Sequence, residues 1–297
     1  MDLDLFTTDR PLLFSIAYRM LGSASDAEDI LQDAWLRYRG TDRSTIRSPK
    51  AFATTIVTRL CLDRLKSART RREEYIGPWL PEPVLTSEIE GPDTVLQRTE
   101  SVTLAFLVLL EKLSPEERAV FLLKDVFEYD HSEIAEMLGT TADNSRQLLH
   151  RAKARLAEGR PRLTGTSQSR RAIAERFTLA FSSGDGSELT ALLAEEVGLW
   201  SDGGGKASAA RRPLIGRNTV VHFLIGLHRT AQATAVSRDV SLRIEDVNSE
   251  PALVVRVGQR LESIFVFSIV DEAISGIRVV RNPDKLAHID RQLITLH

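Results

Sequence analysis

Apolar residues recur at helical spacing through the first half of the chain and give way to strand-like alternation in the last third. From Asp9 to Leu21 the positions Leu12, Leu13, Ile16, Ala17 and Met20 predict a core-facing helix, with Pro11 in its first turn and Gly22 ending it. Ser25 then opens SDAEDILQDAWLRYR, with an apolar stripe of Ala27, Ile30, Leu31, Ala34 and Leu36. Its acidic residues gather at the N-terminal end and Arg37 and Arg39 at the other, as the helix dipole favours. After the polar stretch GTDRSTIRSPK a long third helix carries Phe52, Ile56, Leu60 and Leu65 on its apolar side.

The stretch YIGPWLPEPVLTSEIEGPD cannot be a continuous helix, because prolines stand at 78, 81, 83 and 92 and glycines at 77 and 91. It reads as an extended linker. Tyr75, Ile76, Trp79, Leu80 and Val84 are costly to leave in water, so the linker is expected to dock in a groove. A helix is predicted from Asp93 to Leu113, followed by LSPEERAVFLLKDV, where Ser114 caps, Pro115 takes the first helical position and Glu116 and Glu117 meet the positive end.

From Phe127 to Leu156 the chain reads as a helix-turn-helix. Ser132 or His131 is the expected cap of a short helix with Ile134, Ala135 and Leu138 on one face, and Gly139 supplies the residue for the turn. Thr140 and Thr141 offer oxygens to the next helix, whose inward positions are Ser145, Leu148, Leu149, Ala152 and Leu156. Asp143, Asn144, Arg146, Gln147, His150, Arg151 and Lys153 are left facing outward. Arg, Asn and Gln at the start of an exposed helix are the side chains that reach base edges in a major groove, and Arg151, Lys153 and Arg155 suit phosphates.

Beyond EGRPRLTGTSQSRR helices are expected at 172–181, 187–193 and around 220–227, then alternating runs DVSLRIEDV, ALVVRVG, LESIFVFSIV and AISGIRVVRN that read as antiparallel strands, and a final helix DKLAHIDRQL. Helices on one face of a curved sheet make an α+β domain with a concave interior, a shape that suits a small-molecule ligand. The run DGGGK at 202–206 lacks the spacing of a phosphate-binding loop; Asp202 and Lys206 flank its bend as partners for another segment.

Composition narrows this reading further. The 297 residues suffice for two or three domains. No apolar run is long enough to span a bilayer, the first residues lack the pattern of a signal peptide, and the single cysteine, Cys61, fits a reducing cytoplasm. Six scattered histidines give no metal-ligand spacing, so neither metal nor cofactor is expected. The net charge of -2 hides two basic clusters, Arg59 to Arg72 and Arg146 to Arg162, which suit two contacts on one nucleic acid.

Residues 6–157 resemble the RNA polymerase sigma factors of the extracytoplasmic-function group: DAEDILQDAWLR looks like region 2 and residues 113–156 look like region 4. The C-terminal part resembles a SnoaL-like domain, and YIGPWLPEP, DGGGK and NPDKL at 282–286 are marks of the sigma factors that carry one. The resemblance implies two all-α sigma domains, the second with the helix-turn-helix, plus a cone-shaped α+β domain. The expected boundaries are 1–74, linker 75–92, 93–163 and 164–297.

It further implies a cytoplasmic, non-enzymatic protein that binds core polymerase through its β′ clamp and β flap and directs it to promoter DNA. Asp26, Glu28, Asp29, Gln32, Asp33 and Trp35 would contact β′; Arg43, Lys50, Arg59, Arg64 and Lys66 would hold the −10 element; and Asn144, Arg146, Gln147, Arg151 and Lys153 would engage the −35 element. Ser145 stands where many such proteins place a bulkier apolar residue, implying a less tightly packed recognition helix. A regulatory junction is expected between Tyr75, Pro78, Trp79 and Pro81 of the linker, Asp202, Gly203, Gly204, Gly205 and Lys206, and Asn282, Pro283 and Asp284. Two alternatives stay open: a stand-alone ligand-responsive DNA-binding regulator, and an enzyme using Asp202, His222, His228, Asp246 or Glu262 as acid or base.

Overall fold

The computed structural model describes residues 8–42, 46, 48–86, 100–157, 164–234 and 239–295. Arg43, the helix start expected at 93–99, and Arg160 and Arg162 lie outside the described residues. The chain divides into two compact units. One comprises 1–74, 87–102 and 106–160; the other comprises 75–86, 103–105 and 161–297.

The first unit is helical: α1 (Arg10–Leu21), α2 (Ala24–Arg39), α3 (Pro49–Glu73), α4 (Leu104–Leu110, its first residues grouped with the second unit), α5 (Pro115–Phe121), α6 (His131–Leu138) and α7 (Ala142–Leu156). Its local signals are largely those read from sequence. Ser114 and Glu117 form the capping box of α5; α2 begins at Ala24, ahead of the expected Ser25, with Ser23 as its cap accepting from the Asp26 N–H at 3.1 Å. Three further details differ. Between α5 and α6 the chain makes a five-residue π-helical turn, Leu122–Val126, where a regular helix was expected. The N-cap of α6 is Asp130, whose own N–H donates to Glu133 Oε2 at 2.7 Å, and neither His131 nor Ser132. Leu36 points outward at 54 % exposure, and Tyr38 takes the buried place on α2 instead.

In the second unit α8 (Ser167–Ser183) and α9 (Gly186–Leu192) lead into strand β1 (Leu193–Asp202); β2 (Leu214–Ile215), α10 (Arg217–Thr234), β3 (Val240–Val247), β4 (Glu250–Val257), β5 (Arg260–Val270), β6 (Ala273–Val280) and α11 (Pro283–Thr295) follow. The sheet runs β2-β1-β6-β5-β4-β3. The four expected strands form the antiparallel meander, with tight turns at Asn248–Ser249 and Asp271–Glu272, all four residues at positive φ.

Strand β1 was not expected. It pairs in parallel with β6 and shifts register between Leu193 and Gly198. Its regular alternation is lost there, and Gly198 has no side chain because a Cβ would fall 2.2 Å from the Trp200 ring. One sheet face supplies Leu199, Leu253, Phe265, Phe267 and Ile277 to a core shared with Phe177, Phe181, Leu189 and Leu224 of the helices. Phe177 meets Phe267 and Phe181 meets Phe265 across this core. The other face carries a buried polar group: Glu250 accepts from Ser268 Oγ at 2.6 Å and from the Leu104 N–H at 3.3 Å, while Arg278 donates to Ser268 at 2.8 Å and lies over the Trp200 ring. Burial pushes the Glu250 carboxyl above its usual range, opposed by Arg278.

Candidate functional site

On α7 the buried positions are Ser145, Leu148, Ala152 and Leu156, with Leu149 only half-buried. Leu148 packs with Val120, Leu123, Ile134 and Met137, with Leu149 and Leu138 half-buried against the same cluster; Met137 therefore holds the fully buried place expected of Leu138. That seating turns Arg146, Gln147, Arg151 and Lys153 to solvent. Thr141 caps α7 by accepting from the Asn144 N–H at 3.1 Å, as its position predicted. Gly139 (φ 66) makes the turn.

The expected loosening at Ser145 does not occur. Its hydroxyl is fully buried and lies 2.9 Å from His131 Nδ1, a polar link between the two helices where an apolar contact would otherwise be. Burial and the nearby Lys124 and Arg146 charges lower the His131 pKa from 6.5, opposed by Asp130 and Asp125. A depressed folded-state pKa favours the neutral ring; its stabilisation is present above pH 6.5 and lost as pH falls through the folded value. Protection of the amides from 142 to 148, taken as exchange relative to each amide's intrinsic rate at the same pH, should therefore fall on acidification below pH 6.5 in the native chain more than in a His131→Gln variant.

The basic side chains of α7 are held by acids of the preceding helical segment. Glu117, 3 % exposed, pairs with Arg155 at 2.7 Å and Arg151 at 3.5 Å, and Asp125 pairs with Lys153 at 3.1 Å. Their outer faces remain open to a phosphate, since Arg151, Lys153 and Arg155 are each more than half exposed.

Helix α2 presents Asp29, Gln32 and Asp33 to solvent, with Asp26, Glu28 and Trp35 half-buried beside them. Arg39 stacks on the Trp35 ring at 5.2 Å, and Arg10 pairs with Glu28. Of the cations expected to meet DNA on α3, Lys50 is exposed, Arg64 pairs with Asp26 at 3.1 Å and Asp29 at 3.4 Å, and Lys66 pairs with Glu116 at 3.6 Å. Arg59 donates to the carbonyls of Met137 at 2.8 Å and Glu136 at 3.2 Å, at the C-terminal end of α6.

The linker from 75 to 86 lies against the sheet-bearing unit, as its apolar residues predicted, with Leu80 to Leu85 buried and Ile76 left 57 % exposed. Asp202, 0 % exposed, organises the junction. Its carboxylate accepts from Tyr75 Oη at 2.6 Å, from the Leu80 N–H at 2.8 Å and from Lys285 Nζ at 2.7 Å. Lys285 also donates to the Leu80 carbonyl and sits over the rings of Tyr75 at 4.7 Å and Trp79 at 4.4 Å. Asn282 donates to Tyr75 Oη at 2.9 Å, and Lys206 pairs with Asp284. Gly204 (φ +57) lies so close that a Cβ would be 2.2 Å from Asn282 Nδ2 and 2.8 Å from Tyr75 Oη. Pro81 is buried, Pro78 and Pro283 are half-buried, and Gly203 is buried while Gly205 is exposed at the rim. Burial and the bond to Asp202 raise the Tyr75 phenol above its usual range.

Sequence reasoning missed Lys285 and Asn248 here. Lys285 shares the inward face of α11 with Leu286, Ile289 and Leu293, an apolar placement that was the available signal. Asn248 exchanges two bonds with the Val84 backbone, at 3.1 and 3.0 Å, next to a Leu85–Val247 bridge. Of the candidate acids and bases, Asp202 is taken by the linker, Glu262 pairs with Arg281 at 2.7 Å, Asp246 meets Arg171 at 3.8 Å, and His222 Nδ1 is bonded to the Asn218 carbonyl. His228 lies against Phe181. Among the described residues no three His, Cys, Asp or Glu side chains group as metal ligands, and no helix is long and apolar enough to cross a membrane.

Residues 5–71 match the Sigma-70 region 2 family and residues 103–156 match Sigma-70, region 4. The ECF RNA polymerase sigma factor SigJ of Mycobacterium tuberculosis is 39 % identical over 229 residues, which cover 76 % of this chain and 73 % of SigJ. The chain belongs to the extracytoplasmic-function sigma factors. SigI of the same organism is 30 % identical over 286 residues, 96 % of this chain and 94 % of SigI. The crystal structure of SigJ matches this sigma factor with a TM-score of 0.74 and 32 % identity, over 96 % of this chain and 98 % of that one. The likeness therefore extends beyond the two helical matches to the α+β domain.

Proposed function

We propose that this sigma factor works in the cytoplasm, binding core RNA polymerase through the α2 face of Asp26, Glu28, Asp29, Gln32, Asp33 and Trp35, which meets the β′ clamp, and through its region 4 match, which meets the β flap. Lys50, Arg59, Arg64 and Lys66 then hold the −10 element, and the exposed face of α7 reads the −35 element. Two weak DNA modules on one polymerase gain affinity from effective concentration, so neither has to bind tightly alone. Arg59 and Arg64 must exchange their present protein partners for phosphates, a trade of one charge-assisted contact for another. The chain has no catalytic role in this reading, and its concave domain needs no ligand to act on the linker.

The observation that carries the reading is the pairing, in one chain, of an acidic exposed helix with a half-buried tryptophan and a well-seated recognition helix with a basic outer face. The buried bonds of Asp202 to the linker support control of promoter output by the C-terminal domain. Run-off transcription with purified bacterial core polymerase tests both parts. The full chain should initiate on selected genomic promoter fragments, and Trp79→Ala should change the yield while leaving the start site the same. Absence of both core binding and initiation would move the weight to a stand-alone DNA-binding regulator.

A further inference from the structure

The recognition helix carries six polar side chains between residues 143 and 150, and they do not all face the same way. Asp143, Arg146, Gln147 and His150 are exposed, and their spacing of three, four and seven residues puts them on one face. Asn144 is half-buried. Its side-chain nitrogen donates to Thr140 Oγ1 at 2.8 Å, back toward the turn. Its neighbour Ser145 is buried against His131 Nδ1 at 2.9 Å. Consecutive residues of α7 thus make one bond to the turn and one to α6, a polar seam that fixes how far α7 stands out from the helix before it.

We infer that Asn144, Ser145, Thr140 and His131 are positioning residues, and that the base-reading set is Asp143, Arg146, Gln147 and His150. The inference rests on the sigma-factor reading of α7 and revises which of its residues specify sequence. An asparagine that reads adenine must present its amide oxygen and nitrogen outward together; here the amide is turned to Thr140. Asp143 and Arg146 are paired in the free chain, with both side chains exposed. In a major groove the same two groups suit adjacent base pairs, the guanidinium donating to guanine O6 and N7 and the carboxylate accepting from a cytosine amino group. His150, one turn further on, reaches the next base pair along the groove.

The test uses the full chain bound to core polymerase, on a promoter library with the −35 element randomised and the rest fixed, read by sequencing the bound fraction at one salt concentration. Asp143→Ala and His150→Ala are each expected to lose roughly ten- to hundredfold discrimination at one base pair and to keep it elsewhere, the size of one side-chain contact to a base. Asn144→Ala and Thr140→Val should lower occupancy on all sequences alike and leave the preferred bases unchanged, and Thr140→Ser, which keeps the hydroxyl, should restore it. Loss of preference at a single base pair in Asn144→Ala, with Asp143→Ala and His150→Ala indistinguishable from the native chain, would overturn the inference alone. A native holoenzyme with no preference anywhere in the element would overturn it together with the reading of α7 as the −35 reader. Because Thr140 is only half-buried, Thr140→Val and its serine counterpart keep the positioning half testable even where Ser145→Ala fails to fold.

Discussion

Replacing Asp202 with alanine is expected to release the linker and to lower the stability of the sheet-bearing unit by about 3–5 kcal/mol. The size follows from what the carboxylate leaves behind. Three donors lose their acceptor at once: the Tyr75 hydroxyl, the Leu80 N–H and the Lys285 ammonium. The ammonium is the costly one, because the Lys285 side chain is only 9 % exposed and would keep a buried charge with a carbonyl and two aromatic rings for company. Calorimetry of the full chain should show this unit's transition move down by on the order of 10 °C. Limited proteolysis should open new cuts between 75 and 86. Lys285→Met alone should also be destabilising, since it leaves the fully buried Asp202 carboxylate without its counter-charge, with only the Tyr75 hydroxyl and the Leu80 N–H as donors. The double variant Asp202→Leu, Lys285→Met should be more stable than Asp202→Ala, because replacing a buried pair by apolar groups is far cheaper than breaking it. Equal melting of Asp202→Ala and the native chain, with 75–86 still protected, would mean that apolar contacts of Leu80 to Leu85 hold the linker by themselves.

This junction also marks how far a sequence can be read. The linker's apolar Tyr75 and Trp79 and the glycines of DGGGK each demand a partner, while NPDKL was singled out only through the family resemblance; the structure brings the three segments together. Which charges meet there was not legible. Lys285 and Glu250 are residue types that belong on a surface, and their burial depends on partners 83 and 18 positions away in the chain. The same limit explains β1: Gly198 and the register shift break the alternation that identified β3 to β6, and its parallel partner β6 comes much later. Helices were easier, since capping and periodicity are local. Even so, Asp130 displaced His131 and Ser132 as the cap of α6, and Leu36, expected on the apolar stripe of α2, is exposed while Tyr38 is buried. At the recognition helix Ser145, Leu148, Ala152 and Leu156 of the expected inward set are buried and Leu149 is half-buried, and the partner of Ser145 was not legible because the sequence alone does not say that His131 stands opposite it.

Arg118→Met should destabilise the helical unit by a further amount of the same order, about 3–5 kcal/mol. Arg118 is 3 % exposed and closes the ends of two helices. Its Nη1 donates to the Met20 carbonyl at 2.8 Å, in the last turn of α1, and its Nε and Nη2 donate to the Leu110 carbonyl at 3.2 and 2.7 Å, at the end of α4. Those are carbonyls that no helix can satisfy from within. Nη2 also meets Glu111 at 2.8 Å. Burial lowers the guanidinium pKa, yet arginine starts so high that it stays charged, which suits a group whose donors are all in use. Arg118→Lys should recover only part of the loss, since one ammonium lacks the planar fork that reaches both helix ends. The consequence for function follows from where the two ends lie. Met20 falls in the region 2 match and Leu110 in the region 4 match, so the same guanidinium that stabilises the unit ties together the two matched regions. Arg59, through Met137 and Glu136, makes a second tie of the same kind. If these ties must yield on polymerase, Arg118→Met should melt earlier and also bind core more readily at a temperature where it remains folded. Faster amide exchange at the end of α1 together with unchanged core affinity would confine Arg118 to a structural role.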